Sequence, residues 1–324
     1  MAGSGFRRYA GRKEVACFHP QPAYRSTSGD VFFVERGHVA KEGYTPLELP
    51  CGQCIGCRLE RSRQWAIRCM HEKQLHERAC FLTLTYKVDP VSLQYRDFQL
   101  FMKRLRARLK GAKLRFFMCG EYGERFSRPH FHCCLYGWDF PDRQVFSQGQ
   151  NPLYRSALLE ECWPHGFASI GELTFESAAY VARYVMKKVT GPNAREHYGE
   201  IGTDPNTGEV LLRQPEFTHM SLKPGIGAGW LDKFASDVYP HGKVVVNGVE
   251  CKPPRYYDVR FKKSGLKKYS DGTVVPSIEY EDMMFERDVA ANARAADNTY
   301  SRLAVREQVT KARVKLKKRN QFGE

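Results

Sequence analysis

The sequence predicts an α+β fold, an antiparallel β-sheet flanked by helices, with a cysteine-rich N-terminal region before it and a basic C-terminal tail after it. Three observations carry this expectation. Strand-like and helix-like segments follow in the order β-α-β-β-insertion-β-α across residues 81–189, which suits antiparallel pairing beneath covering helices better than a parallel doubly wound sheet. The 324 residues are 42 % hydrophobic and 13 % aromatic, enough for one large core with appendages. Cysteines cluster at Cys51, Cys54 and Cys57, and basic residues gather at 311–319.

Residues 1–50 are basic, rich in Gly and Pro and weakly periodic, with one strand expected from Val31 to Val34. The cysteine run opens a basic helix expected to reach Arg78. Phe81 to Tyr86 reads as a strand, Asp97 is placed to cap a helix in which Phe98, Phe101, Leu105 and Leu109 recur at helical spacing, and Leu114 to Cys119 reads as the next strand. A loop with Gly120, Gly123 and Pro129 leads into a strand from His130 to Tyr136. After a polar insertion come a strand over Phe167 to Leu173 and a helix over Phe175 to Val189, stopped by Gly191-Pro192. Beyond lie a glycine-rich turn at 223–230, a hairpin-like stretch near 243–270 and a mostly helical tail. The expected divisions are 1–78 (arm, cysteine cluster and basic helix), 79–240 (core) and 241–324 (basic extension).

Composition narrows the function classes. The formal net charge of +15 favours a polyanionic partner, nucleic acid first, through phosphate neutralisation and counterion release. No apolar run of about 18 residues and no signal-peptide pattern is present, so the expectation is a cytoplasmic protein without a membrane partner. Eleven cysteines, several inside apolar strands, read as reduced thiols or metal ligands rather than disulfide staples. No phosphate-binding P-loop is visible.

Side chains at i and i+2 of a strand share a face, so His130 and His132 point one way while Phe131, Cys133 and Leu135 point the other. Glu121 lies nine residues before His130, where a short loop could fold it beside the pair. Two imidazoles and one carboxylate leave open positions for phosphate oxygens, which suits Mg²⁺ or Mn²⁺ as a Lewis acid; Glu124 is the alternative carboxylate. Two ordinary half-buried histidines are the plainer alternative.

At about 100° per residue, Tyr184 falls about 40° from Tyr180, and Lys187 and Lys188 lie on the same side of the helix. Ala178, Val181, Ala182, Val185 and Val189 occupy another side, so the core stripe is filled without the tyrosines. A phenol has a reference pKa of about 10 and requires a base, a cation or a polarised phosphate to act as a nucleophile. Lys187 and Lys188 supply the cation, although a solvated basic edge would also account for them.

These residues resemble the HUH superfamily of rolling-circle endonucleases. With Cys51-Gly-Gln-Cys-Ile-Gly-Cys57-Arg58, Phe81-Leu-Thr-Leu-Thr85, Gly120-Glu-Tyr-Gly123, Arg128-Pro-His-Phe-His132, Tyr180-Val-Ala-Arg-Tyr184 and Ser221-Leu-Lys-Pro-Gly-Ile-Gly227, the chain looks like the replication initiation proteins of gokushovirus-type microviruses, small single-stranded DNA bacteriophages. The resemblance implies an HUH-endonuclease-like sheet and a metal site of His130, His132 and, less directly, Glu121. It implies Tyr180 and Tyr184 as nucleophiles. The implied reaction nicks origin DNA, single-stranded or supercoiled duplex, leaves a 5′-phosphotyrosine and a free 3′-OH primer, and rejoins unit-length circles. Host DNA polymerase and helicase would be partners, in the cytoplasm of the infected bacterium. A plasmid relaxase or transposase of the same chemistry, and a zinc-stabilised DNA-binding protein without catalysis, are the competing readings.

Cys51, Cys54 and Cys57 at C-x2-C-x2-C spacing can meet one ion, and tetrahedral Zn²⁺ would take a fourth ligand, for which Cys17 is chosen, with Cys69 or His71 as alternatives. Unliganded thiols and an iron–sulfur cluster are the other readings. Arg58, Arg61, Arg63 and Arg68 on the basic helix are expected to contact DNA.

Overall fold

The computed structural model describes residues 17–27, 30–33, 44–123, 127–149, 151–184, 194–203, 210–239, 241–264, 267–268, 274–275, 281–283, 285–287, 289, 293 and 295–322. In chain order the elements are β1 (Gln21–Arg25), β2 (Val31–Phe33), β3 (Thr45–Leu49), α1 (Ile55–Lys73), β4 (Ala79–Tyr86), α2 (Tyr95–Arg108), β5 (Arg115–Tyr122) and β6 (Pro129–Tyr136). The polar insertion holds β7 (Gln144–Ser147), β8 (Leu153–Arg155) and α3 (Ala157–Cys162), followed by β9 (Gly166–Gly171) and α4 (Phe175–Tyr184). Next come α5 (Ala194–Tyr198), β10 (Glu200–Thr203), β11 (Val210–Leu212), β12 (Phe217–Met220), α6 (Ala228–Val238), β13 (Val244–Val246) and β14 (Val249–Cys251). The chain closes with α7 (Arg255–Ser264), β15 (Lys267–Lys268), β16 (Val274–Val275), a 3₁₀ turn and α8 (Tyr300–Phe322). No helix among the described residues is long and apolar enough to cross a membrane.

The contacts group into two units: Ser62–Asp237 with Pro253–Arg260, and Met1–Arg61 with Val238–Lys252 and Phe261–Glu324. The first division falls at Arg61/Ser62 rather than after residue 78, because α1 from Ser62 onward has an apolar face committed to the sheet. Ala66, Ile67 and Cys69 are fully buried, and Trp65 stacks on Phe117 of β5 at 4.6 Å.

The sheet has seven strands in the order β12-β5-β6-β4-β9-β8-β7, every neighbouring pair antiparallel. This is the expected α+β architecture. Strict alternation along β4 sends Cys80, Leu82, Leu84 and Tyr86 into one face and Phe81, Thr83 and Thr85 into the other. On the first face they join Phe131, Cys133 and Leu135 of β6 and the α2 stripe of Phe98, Phe101, Met102 and Leu105 in the main core. Trp163, behind α3, seals that core and donates its indole N–H to Thr85 O at 3.0 Å. The opposite face of the sheet carries α4, which lies against β5 and β6.

Three expectations are adjusted. The second helix begins at Tyr95, so Asp97 sits in its first turn rather than capping it, and accepts a hydrogen bond from Tyr86 Oη at 2.7 Å. Strand β5 continues to Tyr122, which carries Glu121 on the strand itself instead of a loop. A strand from far along the chain, β12, pairs with β5 at the sheet edge, and its Phe217 covers Gly120 so closely that a Cβ there would stand 2.9 Å from the ring. Val34 and the expected helix continuation Val185 to Val189 lie outside the described residues.

Glu72 of α1 is the principal buried charge of the sheet unit. Its side chain is 3 % exposed, pairs with the Arg115 guanidinium, accepts from Gly227 N at 2.7 Å and lies 3.2 Å from His76 Nε2. Burial alone would raise its pKa, but hydrogen bonds from His76 and Gly227 and the charge of Arg115 outweigh burial and hold it below the ordinary value. A carboxylate depressed in the folded state adds stability above its unfolded pKa and loses it as pH falls through the folded one. Glu72→Gln should therefore lower unfolding free energy by about 3 kcal/mol at neutral pH in urea titrations, with the difference from wild type shrinking as the medium is acidified below the carboxylate range.

Candidate active site

Strand register builds the cluster. Glu121 of β5 stands directly across from His130 of β6, Cys119 across from His132, and β4 flanks β6 on its other side with Thr83 opposite His132 and Thr85 opposite His130. Glu121, His130 and His132 therefore share the face turned away from the main core. Their ligand atoms all lie within 4.8 Å of one another: Glu121 Oε1 is 2.8 Å from His130 Nε2 and 3.0 Å from His132 Nε2. Glu121 is 1 % exposed. Burial opposes its ionisation, yet hydrogen bonds and charge from both histidines outweigh burial and hold its pKa below the usual value.

The outer nitrogens of the rings are also placed. His130 Nδ1 lies 2.9 Å from Arg128 O, a carbonyl that can only accept, so Nδ1 carries a proton there. Its Nε2 then faces a carboxylate oxygen, a second acceptor, and the pair is favourable only with a proton or a cation between them. Arg128 is itself held, its guanidinium donating to Asp89 at 2.8 Å and to Tyr86 O at 2.8 Å. His132 Nδ1 lies 3.0 Å from Thr83 Oγ1, and Phe81 stacks on the His132 ring at 5.5 Å. Two imidazole nitrogens and one carboxylate oxygen, converging and oriented from behind, fit a single divalent ion.

Helix α4 delivers a phenol to this cluster. Thr174 and Ser177 start the helix with reciprocal hydrogen bonds, Thr174 N to Ser177 Oγ at 2.9 Å and Ser177 N to Thr174 Oγ1 at 3.2 Å. Ala178, Val181 and Ala182 are fully buried, and Ser62 Oγ of α1 donates to Ala179 O at 2.9 Å. Those contacts fix the rotation of the helix, and Tyr180 Oη donates to Glu121 Oε1 at 3.3 Å with its ring 5.0 Å from that of His132. Arg183, a residue the sequence reading passed over, brings its guanidinium carbon 5.4 Å from the Tyr180 ring centre, a cation one helical turn away. Its i+3 spacing from Tyr180 was the available signal. Thr83 was missed as well, though alternation along β4 places it on the histidine face.

Tyr184 ends the described part of α4; Lys187, Lys188 and the alternative carboxylate Glu124 lie outside the described residues. Of the four arginines expected on DNA, Arg61 is exposed and Arg58 and Arg63 are half-buried. Arg68 is corrected: it is 9 % exposed, its guanidinium carbon sits 3.9 Å from the rings of both Trp65 and Tyr256, and its Nε donates to Ile226 O at 3.0 Å. It holds the fold together and is not displayed to a ligand. Cys17, Cys51, Cys54 and Cys57 form a second cluster, with all four sulfurs within 4.8 Å of one another; Cys69 and His71 are buried in the other unit.

Residues 79–189, which span β4 to the end of the expected nucleophile helix, match the family model of the replication-associated protein ORF2. The chain is 32 % identical over 289 residues to replication-associated protein VP4 of Bdellovibrio phage phiMH2K, covering 84 % of this chain and 86 % of that protein. It is 28 % identical over 255 residues to replication-associated protein ORF4 of Chlamydia phage 1 (75 % and 59 % covered) and 28 % identical over 275 residues to replication-associated protein ORF2 of Spiroplasma virus 4 (77 % and 81 % covered). No solved structure matches the chain. With its sheet, its cluster and most of its length thus matched, the chain belongs to the replication-associated proteins of microviruses.

Proposed function

We propose that this protein initiates rolling-circle replication of a microvirus genome in the cytoplasm of the infected bacterium, nicking origin DNA by attack of Tyr180 on a phosphodiester. One observation carries the reading: the phenol of Tyr180 donates to the same Glu121 oxygen on which both histidine Nε2 atoms converge. Mg²⁺ or Mn²⁺ held by Glu121, His130 and His132 would polarise a non-bridging oxygen of the scissile phosphate.

The residues of the chain supply the rest. Glu121 receives the hydrogen bond of Tyr180 and is placed to take its proton, while Arg183 favours the phenolate through its charge. The phenolate oxygen bonds to phosphorus as the bond to the 3′ oxygen breaks. The 3′ oxygen takes a proton from solvent and becomes the primer end for the host polymerase; the phosphate and its 5′ strand remain on Tyr180. Tyr184 would then attack the regenerated origin, and the 3′-OH released there closes the first strand on Tyr180 into a circle. Each step exchanges one phosphodiester for another, so no nucleotide cofactor is consumed, and duplex opening is left to supercoiling and a host helicase. Arg58, Arg61 and Arg63 would hold the strand by its phosphates, with Lys187 and Lys188 beside the reacting one.

The test is a labelled single strand carrying the phage origin, incubated with and without Mn²⁺ and resolved under denaturing conditions. Wild type should give a metal-dependent covalent adduct; Tyr180→Phe should cut its rate by on the order of 10³-fold or more, while Tyr184→Phe retains the first cut. Binding without an adduct would favour a DNA-binding role without catalysis. Cleavage confined to plasmid transfer or transposon-end sequences would favour the relaxase or transposase reading.

Removing the hydroxyl behind His132 addresses the metal separately. Thr83→Val should raise the Mn²⁺ concentration required for half-maximal adduct formation by about 10- to 100-fold while leaving DNA binding intact. Replacing Arg58, Arg61 and Arg63 together by Gln should flatten the slope of log affinity against log salt by about 2 on single-stranded DNA, read by anisotropy across a salt series.

A further inference from the structure

The second cluster lies in the other unit and serves no step of the nicking reaction. Cys17 precedes β1, and Cys51, Cys54 and Cys57 lie between β3 and the first turn of α1. Gly52, at φ +75°, gives the knuckle a left-handed turn that side chains rarely adopt. Cys51 Sγ and Cys57 Sγ are 4.0 Å apart, and Cys54 Sγ and Cys17 Sγ 3.9 Å apart. A disulfide would place two sulfurs about 2.05 Å apart, so none of these pairs is one. A tetrahedron of sulfurs around zinc, with bonds of about 2.3 Å, has edges of about 3.8 Å, and the four sulfurs approach that figure. Four iron atoms would not fit between sulfurs so close, which removes the iron–sulfur alternative.

Backbone donors are already directed at the sulfurs. Cys51 N donates to Cys17 Sγ at 3.2 Å, Cys54 N to Cys51 Sγ at 3.3 Å, Phe18 N to Cys54 Sγ at 3.3 Å and Cys57 N to Cys54 Sγ at 3.5 Å. Such donors favour thiolate over thiol, as does the N-terminal end of α1, where Cys54 O accepts the helical bond from Arg58 N at 3.0 Å. Thiolates in this arrangement repel one another unless a cation lies among them.

The knuckle also has an occupant on its outer side. Leu303 of α8, the one buried residue of that helix among those described, packs with Phe18 and Cys54. One turn on, Glu307 Oε2 lies 2.9 Å from His19 Nε2. Both contacts are made to residues next to the cysteines, and the rest of α8 is a long, largely exposed helix that carries Lys311, Arg313 and Lys315 beyond them.

We propose that Cys17, Cys51, Cys54 and Cys57 bind one zinc ion as a tetrathiolate, and that the zinc-closed knuckle is the platform on which the basic C-terminal helix docks. Zinc ties the start of the chain to α1, and Phe18 and His19, fixed by that tie, present the surface that Leu303 and Glu307 recognise. Loss of the ion leaves α8 without its anchor and its basic end without a fixed origin.

Full-length protein purified without chelators and then exchanged with Co²⁺ tests both parts. The expected spectrum has intense visible bands of tetrahedral cobalt and near-ultraviolet sulfur-to-cobalt charge transfer, at about one ion per chain, bleached by added Zn²⁺. Charge transfer separates this site from the Glu121, His130 and His132 cluster, which has no sulfur. Its absence, or its survival undiminished in Cys51→Ser and in Cys57→Ser, overturns the site. Hydrogen exchange in α8 tests the platform: stripping zinc should speed exchange around Leu303 by about tenfold or more, and Leu303→Ala should do so while keeping the cobalt spectrum. Unchanged protection of α8 after zinc removal overturns the docking role.

Discussion

The register between β5 and β6 is the constraint on which the rest of the site depends. Side chains alternate with a period of two along each strand, so a slip of one residue would send His130 and His132 into the main core and bring Phe131 out beside Glu121. The slip is opposed by what each face contains. Phe131, Cys133 and Leu135 are fully buried against α2, and burying imidazoles and a carboxylate there without partners would cost several kcal/mol. The apolar core thus fixes a polar cluster that it never touches. The same logic runs through β4, whose Leu82 and Leu84 anchor one face while Thr83, between them, reaches His132 on the other.

The two faces also divide the labour among the helices. Helix α2 supplies bulk, its Phe98, Phe101, Met102 and Leu105 filling the space beneath the sheet. Helix α4 is built from smaller residues on its packed side, Ala178, Val181 and Ala182, and so rests close to β5 and β6. That close approach lets Tyr180, an ordinary-length side chain on a helix, reach a carboxylate rooted in the strands. A bulkier stripe would lift the helix and withdraw the phenol. The chemistry proposed for Tyr180 is therefore coupled to small residues that take no part in it.

Much of this was legible in the sequence, for physical reasons that differ by residue. Period-two alternation placed the two histidines on one face, and the helical wheel separated Tyr180 from the Ala178, Val181 and Ala182 stripe. The position of Glu121 was half legible: its nearness to the histidines followed from spacing, but its place on the strand followed from a ladder that continues to Tyr122 opposite Pro129, which residues 114–119 alone did not announce. Arg68 was misread because charge along a helix does not say which face is covered; its partners Tyr256 and Ile226 come from distant parts of the chain. Strand β12 was missed for a similar reason. Four residues carry little periodicity, and what holds them is Phe217 seated over Gly120, a tertiary contact.

Two tyrosines four residues apart set a geometric condition on the proposed strand exchange. In a helix their Cα atoms are about 6 Å apart along the axis, roughly the spacing of neighbouring phosphates on an extended strand. With α4 fixed by its buried alanines and by Ser62, the metal cluster cannot serve both phenols at equal distance. Tyr180, already bonded to Glu121, is positioned for the first attack. The second requires that the cut strand, joined to Tyr180, leave the cluster while a new phosphate enters. A covalent link to one turn of the helix permits this, because it keeps the first strand within reach of the returning 3′-OH without keeping it in the metal's coordination sphere. The helix thereby acts as a short arm of fixed length, and the second turn is what makes a nick reversible into a circle.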